Sequence, residues 1–321
     1  MEESMEENSK DELDKIKKRN QYIIIVGVIL ILIASGFCLF RDWNRRVKEP
    51  VMLPVGMEVG VNQISPDVNE GRVQIQLLYI TDDKHENSVS GISFPERPDL
   101  NCFANENVNY SVLTYYTSIN NYSTNSWKEY GRYQIHQIII EFVQVPLEEE
   151  ITLTKAELIW SNNESTVVDI GKVILFKNDY SQTSLESYYS SSSSDGISMV
   201  RMEVLNDITV ESIDSPLLSN TDVDFTIDIN GTSYQVSELN KLDLEFKKGD
   251  NIEIIINTLG LMNQKYNQYY SIDIQPRLIF KEKNGKQGYI RLHNMRESQE
   301  YKLTTEKQIY KYLKEREGRN E

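Results

Sequence analysis

Histidine, cysteine and net positive charge are all scarce in this chain, and each scarcity removes a class of function. The three histidines, His85, His136 and His293, have no HExxH, no histidine pair at helical spacing and no CxxC beside them. Zinc sites are built from such spacings, so neither a metal nor a cofactor is expected. His136 lies in an alternating strand, where a hydrogen-bonded or surface imidazole is the expectation. No GxSxG or comparable signature marks a nucleophile, and Cys102 sits in PDLNCFANEN without a cysteine-protease context. No catalytic residue is therefore assigned. The formal charge of -15 and the pI near 4.8 exclude a soluble nucleic-acid binder, because phosphate recognition needs a basic stripe. The acidic groups Asp82, Asp83 and Glu86, and the pair Asp222 and Asp224, lack the glycine and spacing of an EF-hand loop. They are expected to be solvated turn charges.

Of the two cysteines, Cys38 falls in an apolar run and Cys102 in the body, which argues against a disulfide between them. A body without bridges must draw its stability from a packed core, a composition that fits a bacterial cell surface.

What is present near the N-terminus is one long uncharged run, Tyr22 to Phe40, reading YIIIVGVILILIASGFCLF. At about 1.5 Å of rise per residue it reaches roughly 28 Å, close to the thickness of a bilayer core. Residues 22-40 are thus expected to form a transmembrane helix in contact with lipid, preceded by a charged tail over 1-21. A cleaved signal peptide has a shorter apolar centre, of about 7 to 15 residues, while the small residues Ala34 to Gly36 leave an exit at which cleavage is the alternative. Phe37 before Cys38 does not fit a lipobox. Lys10, Lys15, Lys17, Lys18 and Arg19 precede the span and Arg41, Arg45, Arg46 and Lys48 follow it. This small basic excess places the N-terminus in the cytoplasm and the C-terminal body outside.

From Val51 onward the vocabulary is that of strands. In RVQIQLLYI, Val73, Ile75, Leu77 and Tyr79 alternate with polar or outward positions, the pattern of a half-buried strand. Similar runs at Tyr110 to Thr117, Tyr133 to Val145, Ile151 to Trp160 and Thr166 to Phe176 predict a first antiparallel β-sandwich domain over 51-177. The serine-rich stretch 178-198 reads as a linker or mobile loop. A second β-sandwich domain is expected over 199-300. Asn230-Gly231 and Asn284-Gly285 mark hairpin turns there, and LDLEF with IEIIIN forms a further hairpin. Pro276 suggests an edge or bulge. A capping box at Thr305 to Gln308 opens a C-terminal helix over 304-317, expected to pack on the second domain. The fold class is mainly β, with an N-terminal transmembrane helix and a short C-terminal helix.

The stretch YYTSINNYSTNSWKEYGRY carries Tyr115, Tyr116, Tyr122, Trp127, Tyr130 and Tyr133 among asparagines and serines. Flat aromatic faces beside adaptable hydrogen-bonding groups suit protein contacts or sugar stacking, so these six are the candidate binding residues. The structural alternative is that the rings pin a long loop to the sandwich. Three functions follow. The first is a noncatalytic binding or assembly component of the envelope with a protein partner. The second is a carbohydrate or cell-wall binding module using the loop 115-133. The third is an envelope hydrolase without a recognisable motif.

Overall fold

The computed structural model describes residues 2-65, 68-83, 85-106, 127-147, 150-178, 184-193, 197-218, 226-257, 271-292, 295-298 and 303-317. The chain divides into two compact units, Met1–Lys48 and Glu49–Glu321. It is mainly β, with an apolar N-terminal helix, several antiparallel sheets and a short C-terminal helix.

The first unit is helix α1, Glu2–Trp43. Within it Asn20–Trp43, 24 residues, is long and apolar enough to cross a membrane, and its side chains are exposed. Leucine, isoleucine and valine at every angle around the axis of its central run leave no polar face there to point at water.

The second unit opens with β1 (Val51–Leu53), β2 (Val55–Ser65), β3 (Val68–Asp82), β4 (Val89–Ser93) and β5 (Asn101–Asn105). It continues with β6 (Trp127–Tyr130), β7 (Tyr133–Pro146), β8 (Ile151–Trp160) and β9 (Ser165–Lys177). Then come β10 (Leu185–Ser192), β11 (Ile197–Val204), β12 (Ile208–Asp214), β13 (Thr226–Ile229), β14 (Thr232–Gln235) and β15 (Leu244–Phe246). β16 (Asn251–Asn257), β17 (Ser271–Ile274), β18 (Arg277–Glu282), β19 (Gln287–Arg291), β20 (Met295–Ser298) and helix α2 (Glu306–Glu317) complete it.

The largest sheet runs β4-β8-β9-β2-β3-β7-β5, with β1, β6, β17 and β20 attached. A second runs β10-β11-β16-β13-β14, and a third β15-β12-β18-β19. As the alternation requires, Ile75, Leu77 and Tyr79 of β3 are buried on one face. Two pairings in the large sheet are parallel, β2 with β9 and β17 with β2. β9 is covered on both sides, since Val173 and Leu175 enter one core and Ile174 enters the other, the setting in which parallel pairing is usual. Gly171 starts that parallel register opposite Val55, at φ +89, and a Cβ there would lie 2.2 Å from the Val55 carbonyl oxygen. Only glycine fits this approach without strain.

Several local expectations need correction. The serine-rich stretch supplies β10, paired antiparallel with β11 and anchored by buried Leu185, so Leu185–Ser192 is strand and not linker. LDLEF and IEIIIN do not pair with each other; β15 joins β12, and β16 lies between β11 and β13 in another sheet. Asn230 and Gly231 both take positive φ, 48° and 80°, as a type I′ turn requires. At the second turn only Gly285 does, at 87°, and the loop closes by Glu282 N–H to Lys286 C=O (2.8 Å), a longer turn. Pro276 marks the place where the chain leaves β17 in the large sheet for β18 in the third. Thr305 caps α2 through its hydroxyl to Gln308 N–H (3.3 Å), but the helix is held by residues of the N-terminal half of the body. Arg316 donates to the Met52 carbonyl, and Glu306 lies 3.8 Å from Arg132.

Candidate functional site

Two buried polar clusters hold most of the chemistry among the described residues. The first is centred on His136 of β7. Cross-strand register sets Tyr79 of β3 directly opposite it, and the two rings stack at 4.7 Å between centroids. Thr81 stands two residues further along β3, on the same face, and its hydroxyl is 2.9 Å from His136 Nε2. Glu106, just beyond β5, brings Oε1 to 2.9 Å from Nδ1 and accepts from Val89 N–H at 2.6 Å with Oε2. A carboxylate there accepts from Nδ1–H, which leaves Nε2 as the acceptor for the Thr81 hydroxyl.

Aromatic rings close the cluster. Trp160 meets Tyr79 edge-on at 5.7 Å and His85 edge-on at 5.3 Å. Burial, reinforced by the charge of Glu106, holds the Tyr79 phenol far above its ordinary range, and its hydroxyl is buried without a hydrogen-bond partner of normal geometry. Burial and the neighbouring His136 push His85 down, against Asp82 and Glu106. Asp82 is buried, contrary to the expectation of a solvated turn charge, because β3 continues through it into the pairing with Tyr133.

Hydroxyl, imidazole and carboxylate in a line is the arrangement that activates a nucleophile in hydrolases. Here Thr81 is 1 % exposed, and Glu106 and His136 are 6 % and 7 % exposed. The relay ties β3, β4, β5 and β7 together. His136 is thus the hydrogen-bonded imidazole expected from the strand pattern.

The second cluster surrounds Glu58 of β2, which is 0 % exposed. Ser215 Oγ donates to its Oε1 (2.6 Å), Gln275 N–H to its Oε2 (2.9 Å), and Arg291 Nη1 approaches Oε2 at 3.4 Å. Burial raises the Glu58 carboxyl above its ordinary value, opposed by those donors and the Arg291 charge. Arg291 lies 3.4 Å over the Phe176 ring and shares Glu150 with Arg277, which also binds Asp214 at 2.8 Å. The buried Glu58–Arg291 contact joins β2 to the end of β19, and removing Arg291 would leave the enclosed Glu58 carboxylate without its cation.

The aromatic stretch is only partly visible. Tyr115, Tyr116 and Tyr122 lie outside the described residues, as does the side chain of Trp127, whose backbone in β6 pairs with His136. Tyr130 is half-buried and Tyr133 is 0 % exposed, so Tyr133 belongs to the core and not to a surface. Glu106 and Thr81 were not singled out from sequence. The one available signal was His136 inside an apolar strand, since a buried imidazole needs partners. Among the described residues no group of three or more histidine, cysteine or acidic side chains is placed to hold a metal.

No protein-family model matches the sequence, and no curated protein matches it. Among solved structures, the secreted serine protease VesC from Vibrio cholerae aligns at 9% identity and TM-score 0.20, covering 65% of this chain and 47% of its own. The Bacteroides ovatus mixed-linkage glucan utilization locus protein SGBP-B aligns at 10% identity and TM-score 0.17, with coverage of 78% and 47%. The chain therefore spans about half the length of either protein. The collagen adhesin CNA from S. aureus aligns at 10% identity and TM-score 0.18, over 78% of this chain and 91% of that one. At these scores the likenesses carry no functional assignment.

Proposed function

We propose that the chain is a single-pass membrane protein whose β-rich body is an extracytoplasmic, noncatalytic binding or assembly component of the cell envelope. The observation that carries the reading is α1, whose segment Asn20–Trp43 is apolar on every side and exposed. Such a surface is stable only in lipid, and the stretch is longer than a signal-peptide centre. The helix stays attached, with the N-terminal tail in the cytoplasm, in keeping with the basic excess before it. The two polar clusters of the body are consistent with a noncatalytic role, because the groups at their centres, His136 with Glu106 and Glu58 with Ser215, are engaged in internal hydrogen bonds. Solubilising the tagged full-length chain from its native membrane in mild detergent, after light crosslinking, is expected to bring down a stoichiometric envelope protein. Recovery of the chain alone, with and without crosslinker, would count against an assembly role.

A second reading, an envelope hydrolase, is favoured by the line Thr81, His136 and Glu106. It requires Thr81 to be uncovered during turnover, and a hydrolytic activity of the purified chain that is lost in Thr81→Ala.

A further inference from the structure

The edge strand β10 carries a built irregularity. Its register against β11 shifts between Ser187 and Tyr189, so two residues of β10 occupy the space of one. In a regular strand Tyr188 and Tyr189 would point to opposite faces; the bulge brings both to the solvent face. Tyr189 stacks under the Arg201 guanidinium at 5.5 Å, and the Tyr188 hydroxyl reaches Asn251 Oδ1 at 3.3 Å. Arg201 and Asn251 both lie on the outward side of the sheet, alternating with buried Val200, Met202 and Ile252. The two rings remain 57 % and 45 % exposed. Arg201 is closed by Glu253, Nε to Oε2 at 2.6 Å, and Ser191, which follows Tyr189 on the outward face, is exposed.

We propose that this face of β10, β11 and β16 is a stacking platform for a neutral glycan chain, which rests on the extracytoplasmic placement argued above. Sugar rings present apolar C–H faces to aromatic planes and hydroxyls to paired polar groups. An arginine–glutamate pair offers donors and acceptors with no net charge. A polyanion meets a molecule of formal charge -15, so charge selects against it. The bulge explains why adjacent tyrosines share a face, which an ordinary strand cannot provide.

The test uses the full-length chain in nanodiscs, avoiding sugar-headed detergents, and retention on immobilised neutral glucans and N-acetylglucosamine oligomers, with polygalacturonate as the anionic comparison. Wild type should be retained by at least one neutral glycan. Tyr188→Ala with Tyr189→Ala should weaken retention at least about tenfold, and each single change about threefold, in proportion to the lost stacking. Tyr189→Phe should retain binding. Tyr289→Ala, another exposed tyrosine beside an arginine, should leave it unchanged. Three results overturn the proposal: no neutral glycan retained, equal retention by the double variant, or binding to the polyanion alone. Protease accessibility of the body on cells is a separate readout. An accessible body that binds no glycan removes only the platform, and an inaccessible body removes the anchored-component reading.

Discussion

Glu106→Ala strips two buried donors of their acceptor at once. The Val89 N–H loses a 2.6 Å hydrogen bond and His136 Nδ1 loses one of 2.9 Å. A buried polar group left unpaired costs about 1 to 3 kcal/mol, so the two together cost roughly 2 to 5 kcal/mol, allowing for some re-solvation through the smaller side chain. Against a typical total stability of about 5 to 15 kcal/mol this is a large fraction. Urea titration of the full-length chain in nanodiscs, followed by tryptophan emission, would register the change, because Trp160 packs edge-on against Tyr79 in the same cluster. With a slope near 2 kcal/mol per molar urea, the midpoint should fall by about 1 to 2.5 M. Glu106→Gln keeps one acceptor oxygen but turns an amide N–H toward one of the donors, so its loss should be smaller. Combining Glu106→Ala with His136→Ala should be clearly non-additive, since the second change removes a donor that the first had stranded. A midpoint shift below about 0.25 M for Glu106→Ala, or simple additivity in the pair, would refute the reasoning that the relay clamps the strands together.

Two further outcomes follow from the same structure. Burial pushes the Cys102 thiol up to about 11, so at pH 8 the folded chain should react with iodoacetamide about a hundredfold more slowly than an ordinary thiol. The rate should recover in urea, and fast alkylation of the native chain would contradict the burial. Limited proteolysis is expected to cut near Ser193, whose N–H bonds to Ile197 C=O, yet the fragments should remain together. They are held by the parallel pairing of β17 with β2, by Ile174 in the second core and by the Glu58 network. Two fragments that separate on native size exclusion would show independent domains instead.

Features set by neighbours in sequence are legible in the sequence itself. The apolar run becomes α1, alternation in RVQIQLLYI becomes β3, and Asn230-Gly231 makes its turn, because each depends on local periodicity or on φ. Features set by distant partners are not. The serine-rich stretch has little of its own to bury beyond Leu185, and becomes strand only because β11 offers it a ladder. LDLEF and IEIIIN are adjacent and complementary in pattern, yet better-buried partners elsewhere claim them. Glu106 and Thr81 are 30 and 55 residues from His136, and nothing near either announces the contact. The aromatic stretch was visible as composition, but composition does not tell that Tyr133 turns inward while Tyr188 and Tyr189 are turned outward by a bulge.

The arrangement of the chain across the membrane is the claim on which the rest depends. It is tested most directly by adding protease to intact cells or protoplasts that carry a tag at the N-terminus of the full-length chain. The account predicts that the body from Glu49 onward is degraded from outside, while the tag survives on a short membrane-bound fragment ending after Asn20–Trp43. A body left whole until the cells are lysed, or a tag missing from the membrane-bound chain before protease is added, would contradict it.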